Sequence, residues 1–285
     1  MIPPAFTYDR PSSLPEALAM LAAGGDVKIL AGGHSLLPLM KIRLASPGRL
    51  VDIGRLDELK GVRRLDDGRI VVGALTTYRE LMESAASEFG LIRDAVPQIG
   101  DVQVRNRGTI GGAIAHADPA SDMTAIALAL DADLVLASTG GTRTVPADRF
   151  SHGAFETSCG PDEILTEIIL PAPRDDAGSA YRALEQPASG YPIVGVGAVV
   201  VGGGADGPIT LARIGITGVG EVAYRAREVE DALVGSDGSD AAIAAAAEHA
   251  VDGVTVRSDI HADAEYRAAM ARVYTRRAIA AALGR

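Results

Sequence analysis

The sequence predicts an α+β protein, and three observations carry that prediction. Short apolar runs pair around turn signals: Asp67-Gly68 joins residues 61–65 to 69–75, and Gly140-Gly141 joins 134–137 to 142–145. Capped helical stretches stand between such runs instead of replacing them. In the last third, three strand-like runs (180–186, 193–201 and 209–217) precede three helical ones (224–234, 239–251 and 264–283). Strands followed by helices describe an α+β unit.

In chain order, Ser13-Leu14-Pro15-Glu16 has the form of a capping box with proline in the first turn, and Gly24-Gly25 closes that helix. Residues 27–31 and 49–53 read as short strands. Thr77 with Glu80 caps a helix expected to reach about residue 87, and another is expected over 122–130. The strand at 163–170 stops at Pro171 and Pro173, and Asp175-Asp176-Ala177-Gly178 completes a linker.

Composition bounds the function. The chain has 285 residues, 47% apolar and 22% charged, enough for a sizeable core. A net charge of −10 speaks against nucleic acid or an anionic membrane as partner. Cys159 is the only cysteine, so the chain cannot bind an iron–sulfur cluster, build a thiolate zinc site or close an internal disulfide. Any metal redox centre must sit on another polypeptide. The N-terminus has neither a basic start nor an apolar core, and the most apolar run, 191–204, is too short and glycine-rich for a transmembrane segment. A cytoplasmic protein is expected, at the inner face of a membrane only through partners.

Two glycine clusters stand about 75 residues apart: Ala31-Gly32-Gly33-His34-Ser35 and Gly108-Thr109-Ile110-Gly111-Gly112. Glycine-rich turns let backbone N–H groups converge on an anion, and the Ser35 and Thr109 hydroxyls would add donors. Two such turns could hold a diphosphate from both sides, so the expectation is a dinucleotide on something other than a Rossmann fold. Each cluster could equally be an ordinary tight turn. His34 reads as a packed or solvent-facing turn residue. Asp122 could accept from ribose hydroxyls or merely cap its helix. The spacing of His116, Asp118 and Asp122 fits no metal site, and Asp263 in His261-Ala262-Asp263 is a natural N-cap. Gly218-Val219-Gly220-Glu221-Val222-Ala223 matches a dinucleotide fingerprint, but a helix leading into another helix follows it, so it is rejected. No nucleophile constellation appears, and no catalytic residue or metal ligand is assigned.

With these residues assembled, the chain resembles the FAD-binding medium subunit of the molybdenum hydroxylases, the xanthine dehydrogenase and aerobic carbon monoxide dehydrogenase family, especially the latter type. The similarity runs nearly end to end, through Ile2-Pro-Pro-Ala-Phe-Thr-Tyr8, Ala31-Gly-Gly-His-Ser-Leu-Leu-Pro-Leu-Met-Lys-Ile-Arg-Leu44 and Gln103-Val-Arg-Asn-Arg-Gly-Thr-Ile-Gly-Gly112. It continues in Ala117-Asp-Pro-Ala-Ser-Asp-Met123, Glu163-Ile-Leu-Thr-Glu-Ile-Ile-Leu-Pro171 and the stretch 264–278.

The resemblance implies an FAD-binding domain over 1–172, of two α+β lobes (PCMH-type) at about 1–56 and 57–172. A C-terminal domain over 173–285 would follow, with a three-stranded antiparallel sheet and three helices. Ala31, Gly32, Gly33, His34 and Ser35, with Thr109, Ile110, Gly111 and Gly112, would hold the FAD diphosphate. Asp122 would contact the adenosine side, Leu165 would lie by the adenine or isoalloxazine through its backbone, and Tyr191 would pack against the flavin ring. Two departures stand out. Ala113 replaces the family's usual asparagine, and a lysine common before the ring-packing tyrosine is absent from 180–187.

The implied role is electron transfer. A large subunit would carry the molybdenum cofactor, a small one two [2Fe-2S] clusters, and the complex would be a dimer of heterotrimers. Electrons would pass through FAD here to an external acceptor, left open among NAD, a quinone and a carrier protein. Carbon monoxide is the leading substrate; the alternatives are a xanthine, aldehyde, nicotine-type or aromatic acyl-CoA dehydrogenase. Two rivals are a self-sufficient FAD oxidase and a scaffold subunit without flavin.

Overall fold

The computed structural model describes residues 2–204 and 207–285. The first unit runs β1 (Thr7–Asp9), α1 (Leu14–Ala22), β2 (Val27–Leu30), α2 (Leu36–Lys41) and β3 (Arg49–Asp52), with a parallel sheet in the order β1-β3-β2. Ser13 caps α1 by accepting from the Glu16 N–H at 3.4 Å, and Gly24 (φ +75°) lets the chain leave it. Ala17, Leu18 and Leu21 share a face of α1 and are buried in one cluster with Val51, Ile53 and Leu56.

The second unit contains β4 (Val62–Arg64), β5 (Ile70–Gly73), α3 (Tyr78–Met82), α4 (Gly90–Ala95), α5 (Val102–Arg105), α6 (Ile110–His116) and α7 (Asp122–Ala129). It continues through β6 (Asp133–Ser138), β7 (Gly141–Pro146), β8 (Ser151–Gly153), β9 (Glu156–Thr157) and β10 (Ile164–Leu170). Five strands form an antiparallel sheet, β4-β5-β10-β6-β7, and β8 with β9 makes a separate hairpin. Both turn-signalled hairpins are present, as β4–β5 and β6–β7. The capping box of Thr77 and Glu80 is complete, but α3 stops at Met82. Ser84 ends the helix early by opening a 3-10 turn, its hydroxyl accepting from the Ala86 N–H at 3.2 Å.

The third unit comprises β11 (Ala177–Glu185), β12 (Pro192–Val201), β13 (Leu211–Thr217), β14 (Tyr224–Arg225), α8 (Arg227–Leu233), α9 (Asp240–Ala247) and α10 (Ala264–Ala282). Its antiparallel sheet, β11-β12-β13-β14, has four strands where three were expected. Tyr224 and Arg225 pair with Ile216 and Gly215 instead of opening the helix. Side-chain partners explain the difference: the Tyr224 hydroxyl donates to the Ala250 carbonyl at 2.8 Å, and Arg225 donates to Glu230 at 2.6 Å. The helix begins only at Arg227, after Ala226 has turned the chain.

Helix α7 joins the second and third units. It is buried from Met123 through Ala129, as a helix apolar on every side must be. On one flank it belongs to the core of the five-stranded sheet; on the other it lies so close to β13 that a β-carbon at Gly215 would stand 2.1 Å from the Ala125 carbonyl oxygen. Tyr181 of β11 also reaches into the second unit's core. Among the described residues, no helix is long and apolar enough to cross a membrane.

Candidate cofactor-binding site

All three units contribute to the walls of an open cleft of about 1400 Å³. That exceeds the roughly 300–1,000 Å³ typical of small-ligand pockets, as an elongated dinucleotide requires. The turn after β2 and the segment before α6 meet in its wall. A β-carbon at Gly32 would stand 2.2 Å from the Arg107 carbonyl oxygen, and one at Gly112 would reach Ala31 at 3.7 Å. The two glycine clusters, distant in sequence, are therefore in van der Waals contact.

Their donors differ. Gly33 takes φ +79°, and the N–H groups of Gly32, Gly33, His34 and Ser35 find no acceptor among the described residues. His34 is exposed, as a turn histidine would be. The second cluster is not a free loop but the start of α6, and its N–H groups are engaged within the chain. Ile110 donates to the Thr76 carbonyl (3.1 Å), Gly111 to Ala74 (2.9 Å), Ala113 to the Thr109 carbonyl (3.1 Å), and Gly112 to the Thr109 hydroxyl (3.2 Å). The Thr109 hydroxyl keeps its own proton to donate, and its N–H has no acceptor among the described residues. Gly111 is required by packing, since a β-carbon there would lie 2.4 Å from that of Ala74. Ile110 turns away from the cleft into the core at 3% exposure, whereas Ala113 lies on the cleft wall.

Asp122 opens α7 and lines the cleft without capping the helix, which has Ser121 at its N-cap position. Its carboxylate accepts from the Tyr181 hydroxyl at 2.5 Å. Burial pushes this carboxyl up to about 7, against the pull of that hydrogen bond, and the nearby Glu185 and Asp118 add to the rise. Leu165 lines the cleft beside a bulge in β10, where the register shifts between Leu165 and Glu167. Cys159 neighbours it, and burial raises its thiol to about 11, which favours the protonated form at neutral pH.

Tyr191 stands at the mouth, on the turn between β11 and β12. Gln186 donates its N–H to the Tyr191 carbonyl at 2.9 Å, and Gly190 (φ +73°) brings the turn against Gly100. The residue is 44% exposed as a whole, and burial raises its phenol, with Asp118, Ser35 and Asp122 close by.

Of the residues assigned from sequence, all but Ile110 line one cleft. Phe155, which sequence reasoning missed, and His116, weighed there only as a metal ligand, also line the cleft, their rings 5.0 Å apart. Phe155 (φ +62°) donates its N–H to the carbonyl of Ala117 (φ +49°) at 3.1 Å. Left-handed conformations at non-glycine residues leave no mark in sequence. Among the described residues, no His, Cys, Asp and Glu side chains group as a metal site would need.

Comparison with known proteins identifies the family. The family described as the FAD binding domain in molybdopterin dehydrogenase matches residues 4–173, and that of the CO dehydrogenase flavoprotein C-terminal domain matches 179–282. The chain is 40% identical to the carbon monoxide dehydrogenase medium chain of Hydrogenophaga pseudoflava, over 100% of this chain and 99% of that one. It is 38% identical to subunit alpha of the 6-hydroxypseudooxynicotine dehydrogenase complex of Paenarthrobacter nicotinovorans, over 100% and 97%. Among solved structures it superposes with a TM-score of 0.95, at 41% identity and covering 100% and 99% of the two chains, on carbon monoxide dehydrogenase from Hydrogenophaga pseudoflava lacking the Mo-pyranopterin moiety of its cofactor. The chain belongs to the FAD-binding flavoprotein subunits of the molybdenum hydroxylases, the family of the carbon monoxide dehydrogenase medium chain.

Proposed function

We propose that this chain holds FAD in the cleft and serves as the electron-transfer subunit of a molybdenum hydroxylase complex whose substrate is carbon monoxide. The run of unengaged N–H groups at residues 32–35 carries this reading, because aligned backbone donors without a protein acceptor suit a diphosphate. Thr109 adds an N–H and a hydroxyl from the facing segment, while Ile110, Gly111 and Gly112 seat α6 against the sheet so that these donors stay in place. Asp122 serves the adenosine side, Leu165 offers backbone, and Tyr191 covers the ring. FAD supplies the redox chemistry that no side chain here can offer. The chain's part is to bind it, orient it and exclude water.

The partners are those the family resemblance implies, and Cys159 being the only cysteine leaves the iron–sulfur clusters to another polypeptide. A small subunit with two [2Fe-2S] clusters delivers the electrons, a large subunit carries the molybdenum cofactor, and the assembly is a cytoplasmic dimer of heterotrimers. The FAD-binding domain covers residues 1–172, with lobes at about 1–56 and 57–172, and the C-terminal domain covers 173–285. Carbon monoxide is favoured by the full-length similarity to carbon monoxide dehydrogenase. A nicotine-derived substrate is the second reading, on the 38% identity to the 6-hydroxypseudooxynicotine enzyme.

The test has two arms. The purified chain, titrated with FAD, should quench flavin fluorescence at one site per chain; a folded protein that leaves the signal unchanged defeats the proposal. The complex purified with its partners should reduce a dye with carbon monoxide, while the chain alone should not. Reduction with 6-hydroxypseudooxynicotine instead would establish the second reading.

A further inference from the structure

The rejected fingerprint at Gly218 leaves a question: what the turn does, if it does not cradle phosphate. Gly218 follows β13 at φ +82°, and a β-carbon there would stand 2.5 Å from the Ile193 carbonyl oxygen and 2.8 Å from that of Pro192. These are the residues directly after Tyr191. The Gly218 N–H donates to the Pro119 carbonyl at 2.8 Å, and the buried Thr217 hydroxyl donates to the same oxygen at 2.9 Å. In sequence Pro119 lies between Asp118 and Asp122, which both line the cleft. The turn thus touches both segments that carry the Tyr191 side of the site.

One side chain ties this junction together. Arg267, at the end of the first turn of α10, is 2% exposed. Its Nη1 donates to the Ile193 and Gly218 carbonyls, each at 2.7 Å. Its Nη2 donates to both carboxylate oxygens of Asp259 at 2.7 Å. Asp259 is held in turn by Arg257 at 2.6 Å and by the N–H groups of His261 and Ala262. Only the planar fork of arginine reaches two carbonyls and a carboxylate at once; a lysine ammonium cannot span them.

We propose that Arg267 is a positioning residue for the flavin site: its guanidinium locks the root of the Tyr191 turn to the Gly218 turn, and through Pro119 to the Asp118–Asp122 segment. The C-terminal helix thereby sets how far Tyr191 leans over the cleft, although no atom of α10 lines it. The flavin part of this inference rests on the proposed function; the mechanical part does not.

The experiment therefore measures both. In the full chain without FAD, Arg267→Lys should speed amide exchange in segments 118–122 and 186–193 by about tenfold or more, while α8 and α9 keep their protection. A uniform loss of protection, or none, overturns the proposal, because a merely structural arginine would loosen the whole domain. If Arg267→Lys does not fold, Asp259→Asn is the milder variant, with the same pattern expected. With FAD bound, Tyr191→Ala and Arg267→Lys should each raise flavin fluorescence, and the double variant should add nothing to Tyr191→Ala. Additive effects would show that Arg267 acts elsewhere and overturn the proposal. Unchanged fluorescence in Tyr191→Ala, with faster exchange in Arg267→Lys, supports the positioning role and overturns the placement of flavin under Tyr191.

Discussion

At Ala113 the helix α6 presents a bare methyl to the cleft, where the family resemblance leads to the expectation of a carboxamide. Restoring it by Ala113→Asn should tighten FAD by about 2- to 13-fold, the worth of one net hydrogen bond of roughly 0.5–1.5 kcal/mol. A fluorescence titration reads this directly, and an unchanged affinity would mean that the carboxamide finds no partner. Asp122 gives a second residue-scale expectation. Burial raises its carboxyl from 3.8 to about 7, so between those values the folded protein binds more protons than the unfolded chain. Its contribution to stability is full below about pH 4 and is lost as pH rises through about 7. Denaturant titrations of the FAD-free chain should show this decline in wild type and its absence in Asp122→Asn, which keeps an oxygen for the Tyr181 hydroxyl.

Glu230 decides how β14 and α8 fit together. At 6% exposure it accepts from the Ile214 N–H at 2.8 Å and from Arg225 at 2.6 Å. Glu230→Ala leaves the buried Arg225 guanidinium with Asp131, at 3.3 Å, as its remaining carboxylate partner, so the loss of stability should stay below the roughly 3–5 kcal/mol of a fully uncompensated buried charge and be visible as a lower denaturation midpoint. Glu230→Gln, which keeps an acceptor, should lose less. This joint was not legible in the sequence, because Tyr224 and Arg225 continue the helical pattern and only their distant partners pull them into a strand. The helices whose caps are local were legible: Ser13 for α1, Thr77 with Glu80 for α3, and Asp263 for α10. Helix α6 was hidden for the opposite reason. Gly111 and Gly112 argue against a helix, yet Gly111 is what lets it press on Ala74. Convergence of the glycine clusters was readable from their composition, but which N–H groups stay free was not, since that depends on carbonyls at positions 74 and 76.

Across the whole molecule, the site belongs to no single unit: the first supplies the free N–H groups, the second Thr109 and Asp122, and the third Tyr191. A ligand that binds only where all three are assembled stabilises the assembly by mass action, about 2.7 kcal/mol at a hundredfold excess over its dissociation constant. The thermal midpoint should therefore climb with FAD concentration, and Tyr191→Ala should make that climb shallower by weakening FAD binding. The direct packing of Gly32 on Arg107 sharpens this consequence. Elsewhere the seam is held by apolar side chains, Leu18 and Leu21 of the first unit sharing a buried cluster with Leu75 and Ile164 of the second, but at the glycine turns backbone meets backbone. Flavin bound across those turns would be the mortar at the one place where side chains supply none.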